Sequence, residues 1–200
     1  MARLLYLIRP SSGGMRKHVL SLLKGLDRKS FIPCVAGPAD ASLQSEIHSL
    51  DIEYQPLPRW RGFFSPLEIR ELAEFFQWSR AKAFDLLHCH GTMAALAARM
   101  FRSLHGLPIV YTVHGWPRHK GPSAHIARLL ERVLRDDGIQ YIAVSKVLRE
   151  EILRWGVPAS QIEIIYNGIE AVQPNERQVE SFRNRWLPHG RVPVLGTVTR

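Results

Sequence analysis

Short, continuous apolar runs alternate along the chain with segments whose apolar residues recur every three to four positions. The runs are Leu4–Ile8, Phe31–Gly37, Ile52–Leu57, Asp85–His90, Leu107–His114, Gln140–Val144 and Ile162–Tyr166, and each reads as a strand. The periodic segments are Met15–Leu26, Ala41–Leu50, Pro66–Ala83, Thr92–His105, Pro122–Asp136 and a stretch capped by Ser145 that runs to Trp155, and each reads as a helix. Strands that are apolar throughout, not in alternate positions, are the mark of a parallel sheet covered on both faces. The predicted fold is therefore α/β, with a doubly wound, mostly parallel, Rossmann-like sheet flanked by helices.

The rhythm breaks at the polar stretch Val172–Gln178 and resumes as a helix-like piece, followed by a further strand at Val192–Val198. We therefore expect residues 1–190 to form one domain and 191–200 to be the first strand of a second, cut short. With 200 residues, 46% of them hydrophobic, the chain can bury a full core, which excludes a disordered protein. No apolar run reaches the roughly 18 residues of a membrane-spanning helix. The net charge of +9 suits an anionic partner: nucleic acid, a membrane face or a phosphorylated small molecule. Its 27 lysines and arginines are scattered and no nucleic-acid motif accompanies them, so nucleic acid is not expected. Cys34 and Cys89 both lie in strand-like runs and read as reduced, buried thiols of a cytoplasmic protein.

Ligands of open α/β sheets bind beyond the carboxyl ends of the strands, so candidate chemistry is sought there. Gly13-Gly14 follows the first strand and precedes a helix. The pair either makes a tight turn or, lacking side chains, lets phosphate oxygens approach helix-terminal N–H groups. His114-Gly115-Trp116 follows the fifth strand. A neutral imidazole there has the means to hydrogen-bond sugar hydroxyls. His90, Gly91 and Thr92 end the fourth strand and open a helix, which Thr92 is placed to cap. His88-Cys89-His90 puts two histidines on one strand face, yet no third ligand follows at a zinc-like spacing, so no metal is expected. Ser145 reads as a helix cap and Asn167-Gly168 as a turn, and both also lie where a cleft would run. The loops at 58–64 and 115–122 mix basic and aromatic residues, and the 66–83 helix is richer in apolar residues than one core face requires. An anionic membrane surface and a moulded acceptor pocket both fit that composition.

Taken in order, "SSGGMRKHVLSLL", "FDLLHCHGTMAALAARM", "LPIVYTVHGW", "YIAVSKVLREEILRWGVPASQIEIIYNGIE" and "VLGTVTR" resemble the N-terminal half of the family 4 retaining glycosyltransferases, which have the GT-B fold. That resemblance implies an acceptor-side domain facing a donor-binding domain. It implies a nucleotide-diphosphate sugar as donor substrate, no cofactor or metal, and a glycan or lipid-linked acceptor. Gly13, Gly14 and Arg200 would bind the donor, and His114 would act at the reaction centre. His90, Gly91, Thr92, Gly115, Trp116, Ser145, Asn167 and Gly168 would line the cleft. The setting it implies is cell-surface polysaccharide synthesis in the cytoplasm, with docking on the inner membrane face as an option. Two other classes stay open: a non-catalytic Rossmann-like module binding nucleic acid or another anionic ligand, and a GT-B nucleotide-sugar epimerase.

Overall fold

The computed structural model describes residues 1–9, 13–58, 60, 64–115, 138–169 and 173–186. Its strands are β1 (Ala2–Ile8), β2 (Phe31–Pro38), β3 (Glu53–Leu57), β4 (Leu86–His90), β5 (Ile109–Val113), β6 (Ile139–Ala143) and β7 (Ile162–Ile164). Its helices are α1 (Gly14–Gly25), α2 (Ala41–His48), α3 (Pro66–Ala81), α4 (Thr92–Met100), α5 (Arg102–His105), α6 (Lys146–Arg154) and α7 (Glu176–Trp186). The strands make a single sheet in the order β3-β2-β1-β4-β5-β6-β7, and every pairing is parallel. The expected doubly wound α/β fold is therefore present.

Residue alternation along each strand explains why the runs are apolar throughout. In β1, Leu5 and Leu7 pack with Cys34, Leu87, Cys89 and Tyr111, under Leu72 and Phe76 of α3 and the alanines of α4. Leu4, Tyr6 and Ile8 point the other way, under Val19 and Leu23 of α1 and Leu43 and Ile47 of α2. Both faces are thus out of water, and each large side chain fully buried this way contributes about 1.5–3 kcal/mol. Cys34 and Cys89 are buried free thiols. Burial pushes the Cys34 thiol up to about 12 and that of Cys89 higher still.

Local chemistry sets the helix ends. Ser65 and Glu68 close a reciprocal capping box: the Ser65 N–H donates to Glu68 Oε2 at 2.9 Å and the Glu68 N–H to Ser65 Oγ at 3.3 Å. The helix expected over 92–105 is instead two, α4 and α5, with the break at Phe101. The break lets Phe101 stack on Phe76 at 5.5 Å while His105 meets the same ring at 4.9 Å. Trp60 lies in a loop whose composition fits a membrane-docking surface or a moulded acceptor pocket, yet it is 1% exposed and belongs to the core. The last strand is shorter than expected, and Ile165–Ile169 continue without a turn.

The chain forms two compact units, Met1–Gly168 and Ile169–Arg200. The second contains α7, whose first turn is capped by the Asn175 side chain accepting from the Gln178 N–H at 3.2 Å. The helix expected over 122–136, the strand over 192–198 and the boundary at residue 190 lie outside the described residues.

The order of the strands also locates a crevice. The chain winds from β1 outward through β2 to β3, then returns to place β4 on the other side of β1. Neighbouring connections at the carboxyl ends of β1 and β4 therefore leave in opposite directions, and such a switch point opens a binding crevice in α/β sheets.

Candidate functional site

The segments after β1, β4 and β5 meet at this crevice. Gly13 adopts φ 88° and ψ −133°, a backbone shape that side chains resist, and its carbonyl accepts from the Lys17 N–H at 3.1 Å. Gly14 is the first residue of α1. It has no positive φ, and a methyl group added there would meet nothing within 4 Å. Gly13, at the N-cap, has no side chain to cap α1, so among the described residues no side-chain cap bond occupies its leading N–H groups.

Four histidines from three segments of the chain form a cluster here. His88 and His90 share the α1 side of β4, with Tyr6 of β1 beside them: its ring lies 5.1 Å from His88 and 5.9 Å from His90. His114 follows β5, and its Nε2 lies 3.0 Å from Nδ1 of His90, within hydrogen-bonding distance. His18, one turn into α1, sets its ring edge-on to His114 at 4.8 Å and 5.7 Å from His90. His90 is fully buried, and its Nε2 has no hydrogen-bond partner among the described residues. His88, its ring 4.2 Å from that of His90, has its Nε2 2.8 Å from the Thr112 hydroxyl.

Burial governs the charge of this cluster. It lowers His88 to about 3 and His114 to about 4, aided in each case by neighbouring histidines, and for His114 also by the Arg9 cation. Burial likewise carries His90 well below the ordinary histidine value and lowers His18. At neutral pH the rings are uncharged, and each has one donor and one acceptor nitrogen.

The ring nitrogens of His18, His90 and His114 fall within 4.8 Å of one another. Three ring nitrogens so grouped could serve as ligands of a metal ion, a constellation drawn from three separate segments and so not visible as a sequence spacing. The set weighed from sequence, His88-Cys89-His90, does not assemble, because Cys89 points into the opposite core.

The remaining candidates divide. Gly91 has φ 88° and ψ 156° and is itself the cap position of α4. A Cβ there would come within 2.9 Å of the Arg9 side chain, which lies across it. Thr92 is therefore not the cap. It is the first helical residue, buried, and its hydroxyl accepts from the Tyr111 hydroxyl at 3.1 Å. Ser145 caps α6, accepting from the Leu148 N–H at 3.2 Å. Gly115 is exposed beside His114. Asn167 and Gly168 are exposed and form no turn. Trp116 and Arg200 lie outside the described residues. Two contributors escaped the sequence reading: His18, hidden at the margin of the α1 apolar stripe beside Val19, and Arg9, an unremarkable residue at a strand end.

Comparison with known proteins bears on what this crevice does. Residues 13–168 match the family described as the glycosyl transferase 4-like domain. Alpha-maltose-1-phosphate synthase of Mycolicibacterium smegmatis is 24% identical over 169 residues, covering 79% of this chain and 41% of that protein. A solved glycosyltransferase from Rickettsia africae superposes with TM-score 0.75 at 17% identity, over 96% of this chain and 51% of that one. Anabaena HepE, solved in complex with UDP-glucose, superposes with TM-score 0.68 at 18% identity, over 92% of this chain and 50% of that one. The chain thus spans about half the length of these proteins or less. Among the described residues no helix is long and apolar enough to cross a membrane. The match begins at the first glycine of the crevice and ends with the seventh strand's exit, and by it this chain belongs to the glycosyl transferase 4-like domain family.

Proposed function

We propose that this chain is the acceptor-side domain of a retaining GT-B glycosyltransferase, which moves a hexose or N-acetylhexosamine from a nucleotide-diphosphate sugar to a hydroxyl of a glycan or lipid-linked acceptor. The observation that carries the reading is the meeting of the glycine-led start of α1 with His114, joined through His18 at 4.8 Å. The α1 N–H groups would take diphosphate oxygens, helped by the roughly half positive charge of the helix end. Neutral His114 would orient the donor sugar. The leaving phosphate oxygen would accept the proton of the attacking hydroxyl, and the developing oxocarbenium charge would be stabilised by fixed dipoles. That chemistry needs no metal. UDP-glucose bound to HepE supports a nucleotide-sugar donor.

Leu67 is 63% exposed and Ile69 37% exposed at the start of α3, so part of that helix's apolar surplus faces water. This supports docking of the cytoplasmic enzyme on an anionic membrane face, where a lipid-linked acceptor would be met. The corresponding test is co-sedimentation with anionic liposomes, expected at low salt and lost at high salt. No binding at low salt removes the membrane from the proposal.

The main test is a transfer assay on a protein joining this chain to its donor-binding domain, with nucleotide sugars supplied with and without acceptor. Transfer with retained anomeric configuration is expected, along with a drop of roughly a hundredfold in kcat for His114→Ala. Residues 1–200 alone should show no turnover. Sugar isomerisation without acceptor would instead identify an epimerase, and absence of both reactions a binding module.

A further inference from the structure

The sequence sets His90 among cleft residues, but the fold buries it completely and leaves its ring a single hydrogen-bonding contact among the described residues, Nδ1 to His114 Nε2 at 3.0 Å. A group so enclosed reaches a substrate only through its neighbour. We propose that His90 is a positioning residue: its Nδ1–H donates to His114 Nε2, which holds His114 in the Nδ1–H tautomer and makes its free nitrogen a hydrogen-bond donor.

The direction of the bond follows from the other side of the His90 ring. Two neutral imidazoles carry one proton each, and one of the two must sit in the shared bond. If His114 donated, His90 would keep its proton on Nε2. The His90 ring is packed among others, its centroid 4.2 Å from that of His88, 5.9 Å from that of Tyr6, which stacks on it, and 5.7 Å from that of His18, and its Nε2 is buried among them. That nitrogen has no acceptor among the described residues. A buried N–H without an acceptor is a rarer defect than an unused lone pair, so the proton belongs on Nδ1. The low basicity of both rings keeps a second proton from blurring the choice at neutral pH. Stacking holds His90 at 17° to Tyr6 and 27° to His114, which fixes the ring plane from which the proton is given. The consequence for catalysis rests on the proposed role of His114; the tautomer does not. A donor at His114 suits the oxygen of a sugar hydroxyl or ring and cannot act as a base toward the acceptor.

The test is nuclear magnetic resonance of the 200-residue chain, labelled with 15N-histidine, at pH 7. Long-range proton–nitrogen correlations should show His114 protonated at Nδ1 and bare at Nε2. A coupling across the hydrogen bond should tie that bare nitrogen to a protonated His90 Nδ1. His90→Asn puts an amide near the place of Nδ1 and should preserve the His114 tautomer. His90→Leu should yield a mixture of both tautomers. In the intact transferase, His90→Leu should lower kcat roughly tenfold or more with little change in donor KM, and His90→Asn should restore most of it. A wild-type His114 protonated at Nε2 overturns the proposal without any variant. So does a single Nδ1–H form that survives in His90→Leu. If the tautomers behave as stated while neither His90→Leu nor His114→Ala slows transfer, the positioning stands and the catalytic role of His114 is what fails.

Discussion

The two glycines that open α1 are chemically identical and structurally different, so they can be separated by substitution. Gly13 sits at φ 88°, where a side chain costs about 1–3 kcal/mol in strain. Gly14 has ordinary helical geometry, and a new methyl group would find open space. Gly14→Ala should therefore leave stability unchanged or raise it by at most the roughly 0.5–1 kcal/mol that alanine gains over glycine in a helix. If a diphosphate oxygen approaches this backbone, the same methyl group occupies the approach. Losing one charge-assisted hydrogen bond costs about 1.5–3 kcal/mol, or roughly a ten- to 150-fold loss of kcat/KM. Urea unfolding of the 200-residue chain measures the first effect, and steady-state transfer by the intact enzyme the second. Gly13→Ala should lower both. Refutation is simple: if Gly14→Ala destabilises the chain by more than about 1 kcal/mol, or folds normally and transfers at the wild-type rate, the pair makes a turn and nothing more.

Acid should destabilise the fold through its histidines. His88 and His114 are depressed to about 3 and about 4 in the folded chain, against about 6.5 unfolded. Their contribution is complete above pH 6.5 and fades as pH falls toward 4, because the unfolded chain gains protons first. One such histidine removes about 2 kcal/mol between pH 6.5 and 5; equal urea midpoints at pH 7 and 5 would contradict the burial argument. Ser65→Ala breaks the capping box of α3 and should cost about 1 kcal/mol in the same unfolding assay, whereas no change would show the cap to be redundant. Native Cys34 and Cys89, each no more than 3% exposed, should resist maleimide until the chain unfolds; prompt labelling would mean that the sheet opens locally.

Much of this architecture was legible without coordinates. Runs such as "LLYLI" and "IVYTV" are almost continuously apolar because both faces of β1 and β5 are covered, and their alternation with helical segments points to a parallel sheet. Once the strands are known, their carboxyl ends are known too, and these already single out Gly13, Gly14, His90 and His114. Errors arose where a local signal competed with a distant partner. Thr92 has the composition of a cap, yet Gly91 takes that position because its φ of 88° turns the chain past Arg9, and the Thr92 hydroxyl is claimed by Tyr111. Trp60 sits in a basic-aromatic loop, but it packs into the hydrophobic core with the helices that cover the sheet.

What the amino-acid order determines alone is periodicity: which segments are strand or helix, and hence which residues stand at the ends of strands. Those properties depend on neighbours one to four positions away. Pairing decides the rest. Nothing local states that β4 lies beside β1 rather than β3, or that the His88–His90 side of β4 is the side covered by α1. Only that crossover brings His18, His90 and His114 together from three separate segments. The burial that follows makes these rings neutral and aligns their nitrogens, because desolvation and hydrogen-bond geometry are properties of the packed chain and not of any stretch of it.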